Sequence, residues 1–123
     1  MSRILFIHPD HKLVGIYQKH LSRHFMVDSA HDGMMGLRKI RETKPGLIVS
    51  DHDLKYMTGL ALLSYVRKHP EMFATPFLFL TKTPMPHEAL GFGANGWFDQ
   101  NLYGPDWVLP HIYSNYQLSR SRN

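Results

Sequence analysis

The sequence predicts the α/β class: a doubly wound (βα)5 domain whose five-stranded parallel sheet carries helices on both faces. Three observations predict it. Five short apolar runs alternate with five segments of helical character along the 123 residues. The runs are continuous, not alternating, which is how strands buried on both faces read. The connections are short and punctuated by Gly and Pro, as in repeated βα units. Right-handed crossovers then restrict the topology to a doubly wound sheet.

Residues 4–7, Ile-Leu-Phe-Ile, form the first strand. A helix follows over 12–24, with Leu13, Ile16, Tyr17 and Leu21 near helical spacing. Residues 25–30 are strand-like, and Asp32-Gly33 leads into a helix over 34–43 with Met34, Leu37 and Ile40 as one apolar stripe. Pro45-Gly46 breaks that helix before the third strand, 47–50. Residues 59–69 are helical, with Leu60, Leu63 and Val66 facing inward, and Pro70 closes the segment. Pro76 opens the fourth strand, 77–80. The fourth helix is short, centred on Ala89-Leu90 and hemmed by Pro84, Pro86 and Gly91. The fifth strand is 96–98, and the last helix spans 105–118 with Pro110 in its first turns, where proline is tolerated. Residues 1–118 make one domain, and 119–123, Ser-Arg-Ser-Arg-Asn, a polar basic tail.

Hydrophobic residues make up 43% of the chain, enough for a real core. The absence of cysteine excludes disulfides and thiolate metal sites. No apolar run approaches the about 20 residues that span a bilayer. Strand-like sequence begins at Ile4, which leaves no room for a signal peptide. A soluble, cytoplasmic protein is expected. The net charge of +4 comes from scattered residues, among them Arg38, Lys39, Arg41, Lys44, Arg67 and Lys68. They fall on the expected outer faces of helices, so no direct nucleic-acid binding is expected.

The apolar run 46–50 ends at Asp51, which begins the polar stretch Asp51-His52-Asp53. A carboxylate at the C-terminal end of a parallel strand stands on the rim where open α/β sheets bind ligands. Its plain alternative is an exposed aspartate that caps the following turn. With Met57-Thr58-Gly59-Leu60 after it, the segment Pro45-Gly46-Leu47-Ile48-Val49-Ser50-Asp51 resembles the response-regulator receiver domain, the CheY-like family of two-component signalling. Phe77-Leu78-Phe79-Leu80-Thr81 resembles the family's fourth strand, and Gly93-Ala94-Asn95-Gly96-Trp97 its entry to the fifth. The resemblance covers nearly the whole chain. It implies a flavodoxin-like, CheY-like fold with Asp51 as phosphoacceptor and Thr81 and Trp97 as switch residues.

The departures matter as much. His8 and Pro9 stand where the family has two adjacent acids that hold Mg²⁺, and Asp10 follows one place late. Gln100-Asn101 stands in place of the family's Lys-Pro pair, and Lys82 in place of a small residue. The segment between Thr81 and Gly93 is about three residues short, which removes about a turn from the fourth helix. The chain thus resembles an atypical receiver, or pseudo-receiver, in a phosphorelay. Phosphorylating a carboxylate needs an ionised nucleophile, a divalent cation and a group that stabilises the product. Asp51 supplies the first. Mg²⁺ would have Asp51, Asp53 and Asp10 as its ligands and bind weakly, so labelling of Asp51 is expected to be impaired. Thr81 either hydrogen-bonds a phosphoryl oxygen or is satisfied by backbone. Trp97 either switches or simply packs. Lys82 either reaches into the place of the missing lysine or stays solvated.

Two function classes remain. One is a non-enzymatic signalling module that binds a histidine kinase or another signalling protein. Its docking or dimer surface would be the face of helix four, strand five and helix five, made aromatic by Tyr103, Trp107, Ile112, Tyr113 and Tyr116. The other is a small metal-dependent hydrolase built from His8, His11 and His52 with Asp10, Asp51 and Asp53. Such a donor set favours Zn²⁺, Ni²⁺ or Mn²⁺ over Mg²⁺. Against it, the sequence offers no second catalytic constellation.

Overall fold

The computed structural model describes residues 2–121. Strands and helices alternate throughout: β1 (Arg3–Ile7), α1 (His11–Leu21), β2 (Met26–Ala30), α2 (Gly33–Thr43), β3 (Leu47–Ser50), α3 (Gly59–Lys68), β4 (Phe77–Thr81), α4 (Glu88–Gly91), β5 (Gly96–Asp99) and α5 (Pro105–Ser121). The sheet is parallel with order β2-β1-β3-β4-β5. This is the doubly wound arrangement expected from the sequence, with the reversal of strand order between β1 and β3.

Alternate residues of each strand feed two cores. Ile4 and Phe6 of β1 join Val49, Leu78 and Phe98 under α1 and α5, where Val14, Tyr17, Leu21, Val108 and Ile112 are buried. Leu5 and Ile7 join Ile48, Phe77 and Phe79 under α2 and α3, packed by Ile40, Leu62, Leu63 and Val66. Burying a side chain of this size is worth about 1.5–3 kcal/mol, so both layers are needed to offset the entropy of ordering the chain.

Three apolar stripes differ from the expected ones. On α2 the buried face is Gly33, Gly36 and Ile40, while Met34 points outward. Glycine is what allows the close approach: a Cβ on Gly33 would lie 2.0 Å from the Met57 carbonyl oxygen, and one on Gly36 3.0 Å from the Ile7 side chain. On α1 Val14 takes the inward place expected of Ile16, which is exposed. On α3 Leu62 is buried and Leu60 only half so. Helix α4 has four residues, in keeping with the shortened segment. Helix α5 continues through Ser119 and Arg120 to Ser121, into the segment expected as a polar basic tail. Arg122 and Asn123 of that tail lie outside the described residues. Pro110 sits beyond the first turn of α5, so the Asp106 carbonyl receives no helical bond from it.

Arg67 is not the surface charge expected. Its guanidinium is half-buried and donates to the carbonyls of Phe73 (3.2 Å), Thr75 (2.6 Å) and Gly93 (3.2 and 2.8 Å) and to Asn95 Oδ1 (2.8 Å). It ties α3 to the segments that enter β4 and β5. Lys39 likewise bonds the Ser29 carbonyl at 2.6 Å, and Lys44 pairs with Glu71.

Tyr17 is wholly buried beside Phe6, and its hydroxyl has no hydrogen-bond partner among the described residues. Burial, with a smaller push from Asp106, raises its pKa to about 12 from the usual 10.0. The folded state therefore holds this proton more tightly than the unfolded chain. Its contribution is intact below pH about 10 and fades as the pH rises towards 12, by about 2–3 kcal/mol in all. Tyr17→Phe is expected to stabilise the domain by about 1–2 kcal/mol at neutral pH by removing the unpaired hydroxyl. Urea unfolding at neutral and alkaline pH tests both statements: the alkaline loss should shrink in the variant.

Candidate phosphoacceptor site

The reversal of strand order puts the exits of β1 and β3 side by side. Ile7 pairs with Ser50, the Asp51 N–H donates to the Ile7 carbonyl at 2.8 Å, and the His8 N–H to Ala30 at 2.8 Å. His8 and Asp51 are thereby fixed as neighbours. They are 2% and 7% exposed. On the other side, α3 docks directly on the strand exit, because Gly59 has no Cβ: one would lie 2.4 Å from the Asp51 carbonyl oxygen and 2.6 Å from the Phe79 ring.

The side chains form a linked set. His8 Nε2 lies 2.7 Å from Gln100 Oε1 and 3.7 Å from Asp51 Oδ2. The Asp10 backbone N–H donates to His8 Nδ1 at 3.1 Å. Because Nδ1 accepts, Nε2 carries the ring proton and donates it to Gln100. Both ring nitrogens of His8 are engaged this way. Asp51 Oδ1 accepts from the Asp53 N–H at 3.2 Å. Asp53 Oδ2 accepts from the Thr83 hydroxyl at 2.5 Å.

Asp10 is turned to another task. Its Oδ1 caps α1, accepting from the N–H groups of Lys12 and Leu13 at 3.1 Å each. The Leu13 N–H above all holds its pKa below the usual carboxylate value. A cleft of about 230 Å³ gathers His8, Pro9, Asp10, Asp51, Asp53, Lys82 and Gln100, seven of the residues singled out from sequence. Asn101 does not line it: it is exposed in the turn after β5, with its N–H on Asp99 Oδ1.

Thr81 is buried, and its Oγ1 accepts from the Thr83 N–H at 3.2 Å. Trp97 is half-buried, stacked on Phe79 with ring centroids 4.3 Å apart, and its indole N–H donates to the Thr83 carbonyl at 2.8 Å. His52 packs against the same two rings. Thr83, which no sequence signal marks, thus touches Thr81, Asp53 and Trp97 at once. The three histidines of the hydrolase reading do not converge: His8 faces Gln100, His52 faces Trp97, and the His11 ring lies 5.7 Å from that of His31. Among the described residues no three His, Asp or Glu side chains gather as a metal site. The aromatic end also divides. Tyr103 and Trp107 are exposed and stacked, whereas Ile112 is core and Tyr113 and Tyr116 pack against Phe25.

Comparison with known proteins agrees with this geometry. The family model described as the response regulator receiver domain matches residues 4–101. Among curated proteins none matches. The chemotaxis protein CheY4 of Vibrio cholerae is a similar solved structure, 25% identical over 93% of this chain and 98% of its own, with a TM-score of 0.81. The receiver domain of a signal transduction histidine kinase from Syntrophus aciditrophicus is 20% identical over 95% and 91%, with a TM-score of 0.83. The receiver domain of a sensor histidine kinase from Pseudomonas aeruginosa is 16% identical over 94% and 98%, with a TM-score of 0.80; that protein coordinates a magnesium ion in its active-site cleft. With most of its length matched and Asp51 on the expected rim, the chain belongs to the response regulator receiver domain family of two-component systems.

Proposed function

We propose that this receiver is atypical: it signals by binding a partner protein, with phosphorylation of Asp51 impaired. The observation that carries the reading is the His8–Gln100 contact. It fills the space between the β1 and β5 exits with a hydrogen bond, where the family pattern has acids on one side and a lysine on the other. The residues present make a poor Mg²⁺ site, so binding is weak. Mg²⁺ demands oxygen ligands in a near-octahedral array. His8 offers nitrogens already engaged, Pro9 offers no side-chain donor, Asp10 spends an oxygen on the α1 cap, and Thr83 holds Asp53 Oδ2. The Asp51 carboxylate, the Asp53 backbone carbonyl and the second oxygens of Asp10 and Asp53 are what remain.

The partner is a histidine kinase or another signalling protein. It binds on the face of α4, β5 and α5, where Leu90, Leu102, Tyr103 and Trp107 are exposed. The same face serves a dimer if the partner is a second copy. Intact mass after incubation with acetyl phosphate and Mg²⁺ tests the reading. A minor fraction should gain one phosphoryl group, and Asp51→Asn should gain none. Rapid, stoichiometric labelling would sink the impaired-pocket reading, and a label that survives Asp51→Asn would sink the assignment of Asp51.

A further inference from the structure

Lys82 is the departure from the family pattern that the reading of the pocket leaves unused. Strand register fixes where it stands. Ile48, Val49 and Ser50 pair with Phe77, Leu78 and Phe79, and Thr81 pairs with Asp99. Lys82 therefore leaves β4 beside Gln100 on one flank. On the other flank it stands two residues past the level of Asp51, about 7 Å along the strand.

The two-residue period of a strand fixes which way it faces. Phe6, Val49, Leu80 and Phe98 point into the core under α1 and α5. Two residues further along the four strands come His8, Asp51, Lys82 and Gln100, on that same side of the sheet. All four line the one cleft at the rim. A lysine one place earlier or later would face away from it.

The cleft has a shortage of positive charge. Asp10, Asp51 and Asp53 bring three carboxylates to its lining. The α1 N-terminus answers part of the charge on Asp10, and the Thr83 hydroxyl donates to Asp53. Both nitrogens of His8 are already engaged. The ammonium of Lys82 forms no ion pair elsewhere among the described residues. Its field does cross the cleft: the Asp10 carboxyl, held below its usual pKa above all by the Leu13 N–H, is lowered further by Lys82.

We propose that Lys82 is the resident cation of this cleft: it answers the carboxylates of Asp51 and Asp53 in the place of a divalent ion, and its charge keeps such ions out. An ammonium on a flexible four-carbon stem is a compact point charge suited to that task. The inference rests on the reading of the pocket as a poor metal site, and it adds a repelling charge to the missing donors.

The test is Mn²⁺ binding to the full chain, read from the EPR signal of the free ion, with Mg²⁺ as competitor. The natural chain should bind weakly. Lys82→Met, which keeps a long stem and removes the charge, should tighten binding by about 10-fold or more, the scale of one like charge at close range. Lys82→Arg should leave binding as it is. So should Lys68→Met, which removes the same charge from the far end of α3. Adding Asp51→Asn to Lys82→Met should abolish the gain. Lys82 is exposed, so the Tm of its variants should stay near that of the natural chain. Weak binding that Lys82→Met leaves unchanged would overturn this inference alone. Micromolar binding by the natural chain would overturn it together with the poor-site reading. A gain that survives Asp51→Asn would place the ion elsewhere, and one that Lys68→Met reproduces would be an effect of net charge; either overturns the proposal.

Discussion

Acetyl phosphate labels the variant His8→Asp, Pro9→Asp, Gln100→Lys, Asn101→Pro at least about 100-fold faster than the natural sequence, and only when Mg²⁺ is present. The magnitude follows from electrostatics: one preorganised group aimed at developing charge is commonly worth about 10²–10³ in rate. The variant regains two carboxylates on the β1 exit and an ammonium on the β5 exit, against an Asp51 whose position is already fixed by the Ile7 carbonyl. The sequence marks all four positions. The structure shows why His8 cannot be kept, because its Nε2–H points at residue 100 from 2.7 Å. With His8 kept, that N–H would face the new ammonium, two donors with no acceptor between them. The three-site variant should therefore gain much less than the four-site one. Intact-mass time courses with and without Mg²⁺ measure both. A folded four-site variant that labels no faster than the natural chain would mean that the pocket is misaligned with the family's.

That outcome also says what a sequence can carry. The order of apolar runs places β1 and β3 as neighbours, so His8, Pro9 and Asp51 meet at one rim without any knowledge of side-chain geometry. Gln100 and Lys82 follow from the exits of β5 and β4. What is not legible is the wiring between them. The His8–Gln100 bond joins residues 92 apart in the chain, and its direction depends on the Asp10 N–H reaching Nδ1. Thr83 sits in an irregular loop where no period marks it. Asp10 reads as a ligand by type and turns out to be a helix cap by position. The buried face of α2 differs from the expected stripe for a related reason. Gly33 and Gly36 carry no apolar signal, although they are the residues that let the helix approach the sheet. Tyr56 is likewise silent: its φ of 73° lies in the left-handed region, and nothing in its neighbours announces it.

Arg67→Met is expected to cost about 3–5 kcal/mol, a large share of the about 5–15 kcal/mol that holds a domain of this size together. The side chain volume is roughly kept, so the loss reads the hydrogen bonds. Three carbonyls, those of Phe73, Thr75 and Gly93, lose a charged donor, and Asn95 Oδ1 loses one of two. Bonds from a charged donor are worth about 1.5–3 kcal/mol each, but they share one guanidinium and do not add. Burial alone pushes the Arg67 pKa down, so part of the gross gain already goes to desolvation. Arg67→Lys should recover little, because an ammonium cannot present the planar fork that meets carbonyls on two sides. Gly93 should be equally intolerant of change. It has φ +88°, and a Cβ there would lie 2.9 Å from Arg67 Nε. Urea unfolding gives the free energies, and amide exchange locates the damage. Protection should fall first at Phe77 and Asn95, whose mutual bonds register the start of β4 against the approach to β5. A loss below about 1 kcal/mol would show that water replaces the clamp. Uniform loss of protection would show that Arg67 supports the whole domain and not this corner.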